Sequence, residues 1–161
     1  ENILGGEECL NRGWEQVMRL LNNERLVLSA CAIGISETIL KEVVQTVRWR
    51  SRNARTPGKY QDVEHEVVEM ATRLEAARSL AYRAGWLESR GIDCVKETSM
   101  TKYYCAEAGK KIAWAGMRIL GEKGQAPDNV TQRLFRDIPV LAIGGGTSQI
   151  QKNIITKLLG L

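Results

Sequence analysis

The 161-residue chain has one histidine, three prolines, one phenylalanine and four cysteines, and each scarcity removes a class of function. A ferritin-like di-metal bundle needs two Glu-x-x-His units. Here only Asp62-Val63-Glu64-His65 offers even an Asp-x-x-His, so no metal site is expected and His65 reads as a helix-surface or interface residue. A Ser–His or Cys–His nucleophile meets the same shortage, and no G-x-S-x-G elbow is present. Cys9, Cys31, Cys94 and Cys105 form no CxxC pair and have no histidine at zinc spacing. They fit a reducing, intracellular setting without disulfides. No run approaches the ~18 to 20 apolar residues of a membrane span. A net charge of +4 is too small to indicate nucleic acid. Alternation at period two is never sustained, which leaves no sheet. Glu1-Asn2-Ile3-Leu4-Gly5 lacks an initiator Met, a basic n-region and an apolar h-region, so the chain is expected to be processed or a piece of something larger.

What remains is helical periodicity. Leu26, Ala30, Ile33, Leu40, Val44 and Val47 recur at helical steps, and Leu28, Ala32, Ile35, Ile39 and Val43 form a second stripe. This helix is expected to be central, preceded by a separate short helix over Leu10 to Leu21. Thr56-Pro57-Gly58 breaks the next segment. Val63, Val67, Met70, Leu74, Ala77, Ala81 and Ala84 then keep a 4-3 spacing. After a break at Gly91 and Asp93, a third long helix carries Met100, Tyr104, Ala108, Ile112, Ala115 and Ile119. Asp128-Asn129 caps a short helix to about Arg136, Gly144-Gly145-Gly146-Thr147 is a loop, and Ser148 to Leu159 is a last helix. The expected fold is all-α: an antiparallel four-helix bundle with extra short helices, forming one domain over residues 1–161.

Two features could carry chemistry. Arg48, Arg50, Arg52, Arg55 and Lys59 have no acid among them, which suits a solvated helix end or an anion site, phosphate rather than polynucleotide. The triple glycine before a helix could present backbone amides to an anion or be a flexible cap. Glu24-Arg25, after Asn22-Asn23, reads by default as an acid placed at a helix start by the macrodipole.

Taken in order, these residues resemble the C-terminal helical domain of the acyl-CoA dehydrogenases over essentially the whole chain. Glu1 to Gly5 looks like the junction after that family's β domain. The segment from Val68 to Arg78 is similar to its mid-bundle helix. Arg136-Asp137 and Gly146-Thr147-Ser148-Gln149-Ile150-Gln151 resemble its RD…EGTSEIQ signature. The resemblance implies a fragment lacking N-terminal helical and middle β domains. It implies removal of an α proton from an acyl-CoA by a carboxylate, with the β hydride passing to flavin adenine dinucleotide (FAD), to give a trans-2-enoyl-CoA. Most members place the base just before the Gly-Thr, where this chain has Gly145. Isovaleryl-CoA and long-chain acyl-CoA dehydrogenases place it instead in a segment reading LDLER or LPQER, and Leu21-Asn22-Asn23-Glu24-Arg25 is similar.

On that resemblance Glu24 is the expected general base, with Asn22, Arg25 and Gly145 on the substrate side. Arg25 is expected near the CoA portion, and Gly145 leaves room for the acyl chain or for Glu24. Flavin contacts carried over are Arg50, Arg118, Gly121, Thr147 and Gln149, while Gln61 matches a recurrent Gln. Asn53 and Ala54 stand where the family has Phe and Gly in RxxFG, and Arg118-Ile119-Leu120-Gly121-Glu122 stands at its QxxGG segment. The resemblance further implies an electron-transferring flavoprotein or similar acceptor, a homotetramer or dimer, and a cytoplasmic (or mitochondrial matrix) enzyme. The fragment alone is expected to be inactive. The alternative is a non-catalytic helical subunit or oligomerisation module of the same fold.

Overall fold

A computed structural model describes residue 3 and residues 5–53 and 61–161. The expected break at Thr56-Pro57-Gly58, together with Ala54, Arg55 and Lys59, lies outside the described residues. After a 3-10 turn at Glu7–Cys9 come α1 (Gly13–Asn53), α2 (Gln61–Ser89), α3 (Val95–Leu120) and α4 (Glu122–Gln125). They are followed by α5 (Val130–Asp137), a second 3-10 turn (Ile138–Ala142) and α6 (Ser148–Leu158). The all-α expectation holds, and no strand occurs among the described residues.

Three side-chain ties give the directions. Arg50, near the C-terminus of α1, donates to the carbonyls of Ile119 and Leu120 at the C-terminus of α3, at 2.6 and 3.0 Å. Asn22 near the start of α1 donates to Glu88 at the end of α2. Arg118 at the end of α3 pairs with Glu66 at the start of α2. Thus α1 and α3 run parallel and α2 runs against both. The ties from α3 to the start of α6 step backward along α3, through Glu107 and then Tyr103. α6 therefore completes the up-down-up-down order.

The separate helix expected over Leu10 to Leu21 does not exist. α1 is continuous for 41 residues. Nothing in Leu21-Asn22-Asn23-Glu24 stops a helix, since each Asn loses less than about 0.7 kcal/mol relative to Ala. Asn22 also spends its amide on Glu88 rather than on nearby backbone. The expected central helix is likewise corrected. α3, with both of its long neighbours and α6 against it, holds the middle. Its small residues permit this: a Cβ on Gly109 would stand 2.7 Å from Ile138, and one on Gly116 would collide with Ile39. Of the two stripes on α1, the second supplies the core through Ala32, Ile39 and Val43, which meet Met70, Leu74 and Ala77 of α2 and Ile112 and Ile119 of α3. Ala30, on the first stripe, is exposed. The cap expected at Asn129 is present, its side chain accepting from Thr131 N at 2.8 Å.

Candidate functional site

The triple-glycine turn links the second 3-10 turn to α6. Gly145 and Gly146 have φ of +64° and +98°, a region in which a Cβ is strained. Thr147 ends the turn by capping α6, its hydroxyl accepting from Ile150 N at 3.3 Å. From below, side chains of three elements grip the turn's carbonyls. Arg25 Nε of α1 donates to Gly145 O at 3.2 Å. Gln151 Nε2 of α6 donates to Gly145 O and Gly146 O, both at 3.0 Å. Lys102 Nζ of α3 donates to Gly146 O at 2.6 Å. Ser148 then anchors α6 to α3 by donating to Glu107 at 2.6 Å.

Beside this clamp lies Glu24, half-buried about three turns into α1. Because α1 begins at Gly13, the placement of Glu24 at a helix start does not hold, and the dipole, felt only within the first turn, does not account for it. Its carboxylate carries no hydrogen bond or ion pair among the described residues. A Cβ built on Gly145 would lie 3.0 Å from Leu28 Cδ1, 3.6 Å from Arg25 Cγ and 3.9 Å from the Glu24 carboxyl carbon. The Glu24 carboxyl thus stands within ordinary contact distance of the point where a side chain at residue 145 would begin.

Charge under the turn is unusual. Arg25 and Lys102 are 2% and 1% exposed. Burial pulls the guanidinium of Arg25 below its ordinary value, partly opposed by Glu24. Burial and then the charge of Arg25 lower Lys102, against Glu107 and Glu24. Burial pushes the Glu107 carboxyl up, but the Ser148 hydroxyl and Lys110 outweigh it and hold Glu107 below its usual range.

The other expected site residues divide between the two ends of the bundle. Thr147 and the exposed Gln149 stand at the start of α6, on the Glu24 side. Arg50, Arg118 and Gly121 stand at the far end of α3, about 27 Å along the helix from Lys102 at ~1.5 Å per residue. There Arg50 and Arg118 line a cavity of about 610 Å³ with Val47, Trp49 and Val63. Arg50 also caps α3, and Gly121 follows its last turn, donating its N–H to Met117 O. Arg25 lies beneath the turn rather than open to solvent. Asn22 is turned to Glu88, which also accepts from the Cys94 thiol at 3.1 Å, and is not gathered with Glu24 and Gly145. Lys102 and Gln151 are the functional-looking residues missed from sequence. The available signal was a lysine inside the Met100–Tyr104 stripe.

The fold and this constellation can be set against known proteins. The model of the acyl-CoA dehydrogenase C-terminal domain matches residues 11–160. The chain belongs to the acyl-CoA dehydrogenase family. An acyl-CoA dehydrogenase of Bacillus subtilis is 38% identical over 98% of this chain and 41% of its own length. The subunit CarC of the caffeyl-CoA reductase–Etf complex of Acetobacterium woodii is 31% identical over 99% of this chain and 41% of its own. Among solved structures, an acyl-CoA dehydrogenase from Geobacillus kaustophilus superposes with a TM-score of 0.86 at 31% identity, covering 92% of this chain and 39% of that one. This acyl-CoA dehydrogenase domain thus spans about two fifths of the length of the relatives it matches.

Proposed function

We propose that this domain carries the general base of a flavin-dependent acyl-CoA dehydrogenase, and that the base is Glu24. The observation that carries the reading is the contact-distance approach of the Glu24 carboxyl, which has no hydrogen bond or ion pair among the described residues, to the place where Gly145 lacks a Cβ. The family most often has a carboxylate at the position of Gly145, and the reading is supported by Glu24 of α1 standing within contact distance of it. Glu24 takes the α proton of the thioester onto a carboxylate oxygen, and in the reverse direction returns it. Gly145, lacking a Cβ, keeps the approach open, while Arg25 and Gln151 hold its carbonyl away from the acyl group.

The residues present fit a flavin. The N–H groups of Ser148 and Gln149 at the start of α6 have no intrahelical acceptor, and Thr147 and the exposed Gln149 side chain stand beside them. Together they form a donor set for an anionic, hydrogen-bond-accepting cofactor. Arg50 and Arg118 offer cations to a pyrophosphate at the far end. When bound, FAD supplies the acceptor for the β hydride. Asn22 stays on the substrate side of the proposal only through the LNNER segment.

An electron-transferring flavoprotein is the proposed electron acceptor, a reading supported by the name of the Acetobacterium relative. Assembly as a dimer or homotetramer is proposed from family membership, and Trp14, Trp49, Trp86 and Trp114 are all more than half exposed. No helix among the described residues is long and apolar enough to cross a membrane, and the proposed setting is cytoplasm or mitochondrial matrix. The test is the intact protein, purified and assayed with a panel of acyl-CoA thioesters. A flavin spectrum near one equivalent per chain and formation of enoyl-CoA support the enzyme. A colourless, inactive protein points to the assembly module.

A further inference from the structure

Lysine is almost never fully buried unless it is paired. Lys102 is 1% exposed, yet no carboxylate lies within ion-pair distance of it among the described residues. Its one hydrogen bond runs to a neutral carbonyl, that of Gly146, at 2.6 Å. Beside it, Arg25 is equally buried and also spends its guanidinium on a carbonyl of the turn. Burial and the charge of Arg25 disfavour the ammonium, and Glu107 and Glu24 only partly oppose them. Packing alone, which an apolar side chain would serve as well, therefore does not explain the lysine.

Geometry does. The carbonyls of Gly145 and Gly146 are the two that face inward, and Arg25, Gln151 and Lys102 take hold of them from three different helices. The turn has no side chains of its own to pack and sits at positive φ for two successive residues, so these bonds set its height above α1. That height is the clearance between Gly145 and the Glu24 carboxylate. Glu107 completes the frame, fixing the first residue of α6 through Ser148 while engaged with Lys110.

We propose that Lys102 is a positioning residue of the catalytic site, holding the Gly145–Gly146 turn at the height that lets Glu24 reach the substrate α carbon. The inference rests on Glu24 being the base. Lys102 touches neither substrate nor flavin. It acts through the turn, with Gln151 as its neutral counterpart.

The test uses the intact holoenzyme and the variants Lys102→Met, Lys102→Arg, Gln151→Met and Glu24→Gln. Lys102→Met is expected to lower kcat at least tenfold while KM and flavin content stay within about twofold, and Lys102→Arg is expected to recover most of the loss. Turnover of Lys102→Met within threefold of wild type overturns the inference, as does a loss that merely follows the folded or flavin-bound fraction. If Lys102→Met does not fold, Gln151→Met, which removes one donor from Gly145 O and one from Gly146 O without touching a charge, decides by the same criteria. Glu24→Gln separates the two levels. If it is inactive while Lys102→Met is unaffected, only the positioning role fails. If it turns over normally, both fail.

Discussion

The carboxyl carbon of Glu24 lies 3.9 Å from the point where a Cβ on Gly145 would stand, although 120 residues separate Gly145 from Arg25, the neighbour of Glu24 that bonds its carbonyl. Glycine at this position therefore does two things at once. It accepts a φ of +64°, and its missing Cβ spares a tight contact with Leu28 beside Glu24.

Gly145→Ala tests both. The methyl meets Leu28 at 3.0 Å and a left-handed backbone, so the variant is expected to lose about 1–2 kcal/mol of stability. Its urea midpoint should fall at constant m-value, and kcat should fall with it because relief of the Leu28 contact shifts the turn relative to Glu24.

Exchange of the two residues makes a sharper prediction. Glu24→Gly should abolish turnover, and adding Gly145→Glu should restore it at least tenfold over the single variant. The recovery should stop short of wild type because a side chain at residue 145 is strained. Steady-state kcat of the two variants checks this.

The close approach of α1 and α3 depends on Gly116. A methyl there collides with Ile39 Cγ2, and overpacking of this kind costs about 1–3 kcal/mol. Gly116→Ala is expected to lower the unfolding free energy by that amount, read as a lower urea midpoint, while leaving KM unchanged. A neutral or stabilised variant would mean that the α1–α3 spacing adjusts.

Thiol reactivity should follow burial. Burial pushes the Cys105 thiol up to about 12, with the Ser29 hydroxyl opposing, and burial likewise raises Cys94. At about pH 8 iodoacetamide should label Cys31, which is exposed on α1, and spare Cys94 and Cys105 until denaturant is added. Peptide mass mapping reads the result.

Acid should loosen the seat of α6. Glu107 is held below its ordinary value of 4.5 in the folded state, so the unfolded chain binds a proton first as pH falls. Its contribution is complete above 4.5 and is lost as pH drops through the lower folded value. Between 4.5 and that lower folded value wild type should lose stability more steeply than Glu107→Gln, as urea midpoints measured against pH will show.

Much of the architecture was legible because helices write their buried faces at three- and four-residue steps, and Asn129 announces its own helix start. The join at Leu21 to Glu24 was misread because two asparagines look like a break, whereas their small local penalty is overridden once Asn22 finds Glu88. The central role of α3 was hidden in its Ala and Gly residues, which score as weakly apolar but decide which neighbours can come close. At the site, the Glu24 and Gly145 pairing was legible only through a family pattern. Lys102 and Gln151 were not, since their meaning lies in carbonyls brought to them from elsewhere in the fold.

The central claim is that Glu24 removes the α proton. The most direct measurement is solvent deuterium exchange at the substrate α carbon, catalysed by intact Glu24→Gln beside wild type at equal flavin content. Loss of the base should slow exchange and kcat together by about 10²–10⁴-fold. Exchange at the wild-type rate in Glu24→Gln would contradict the account.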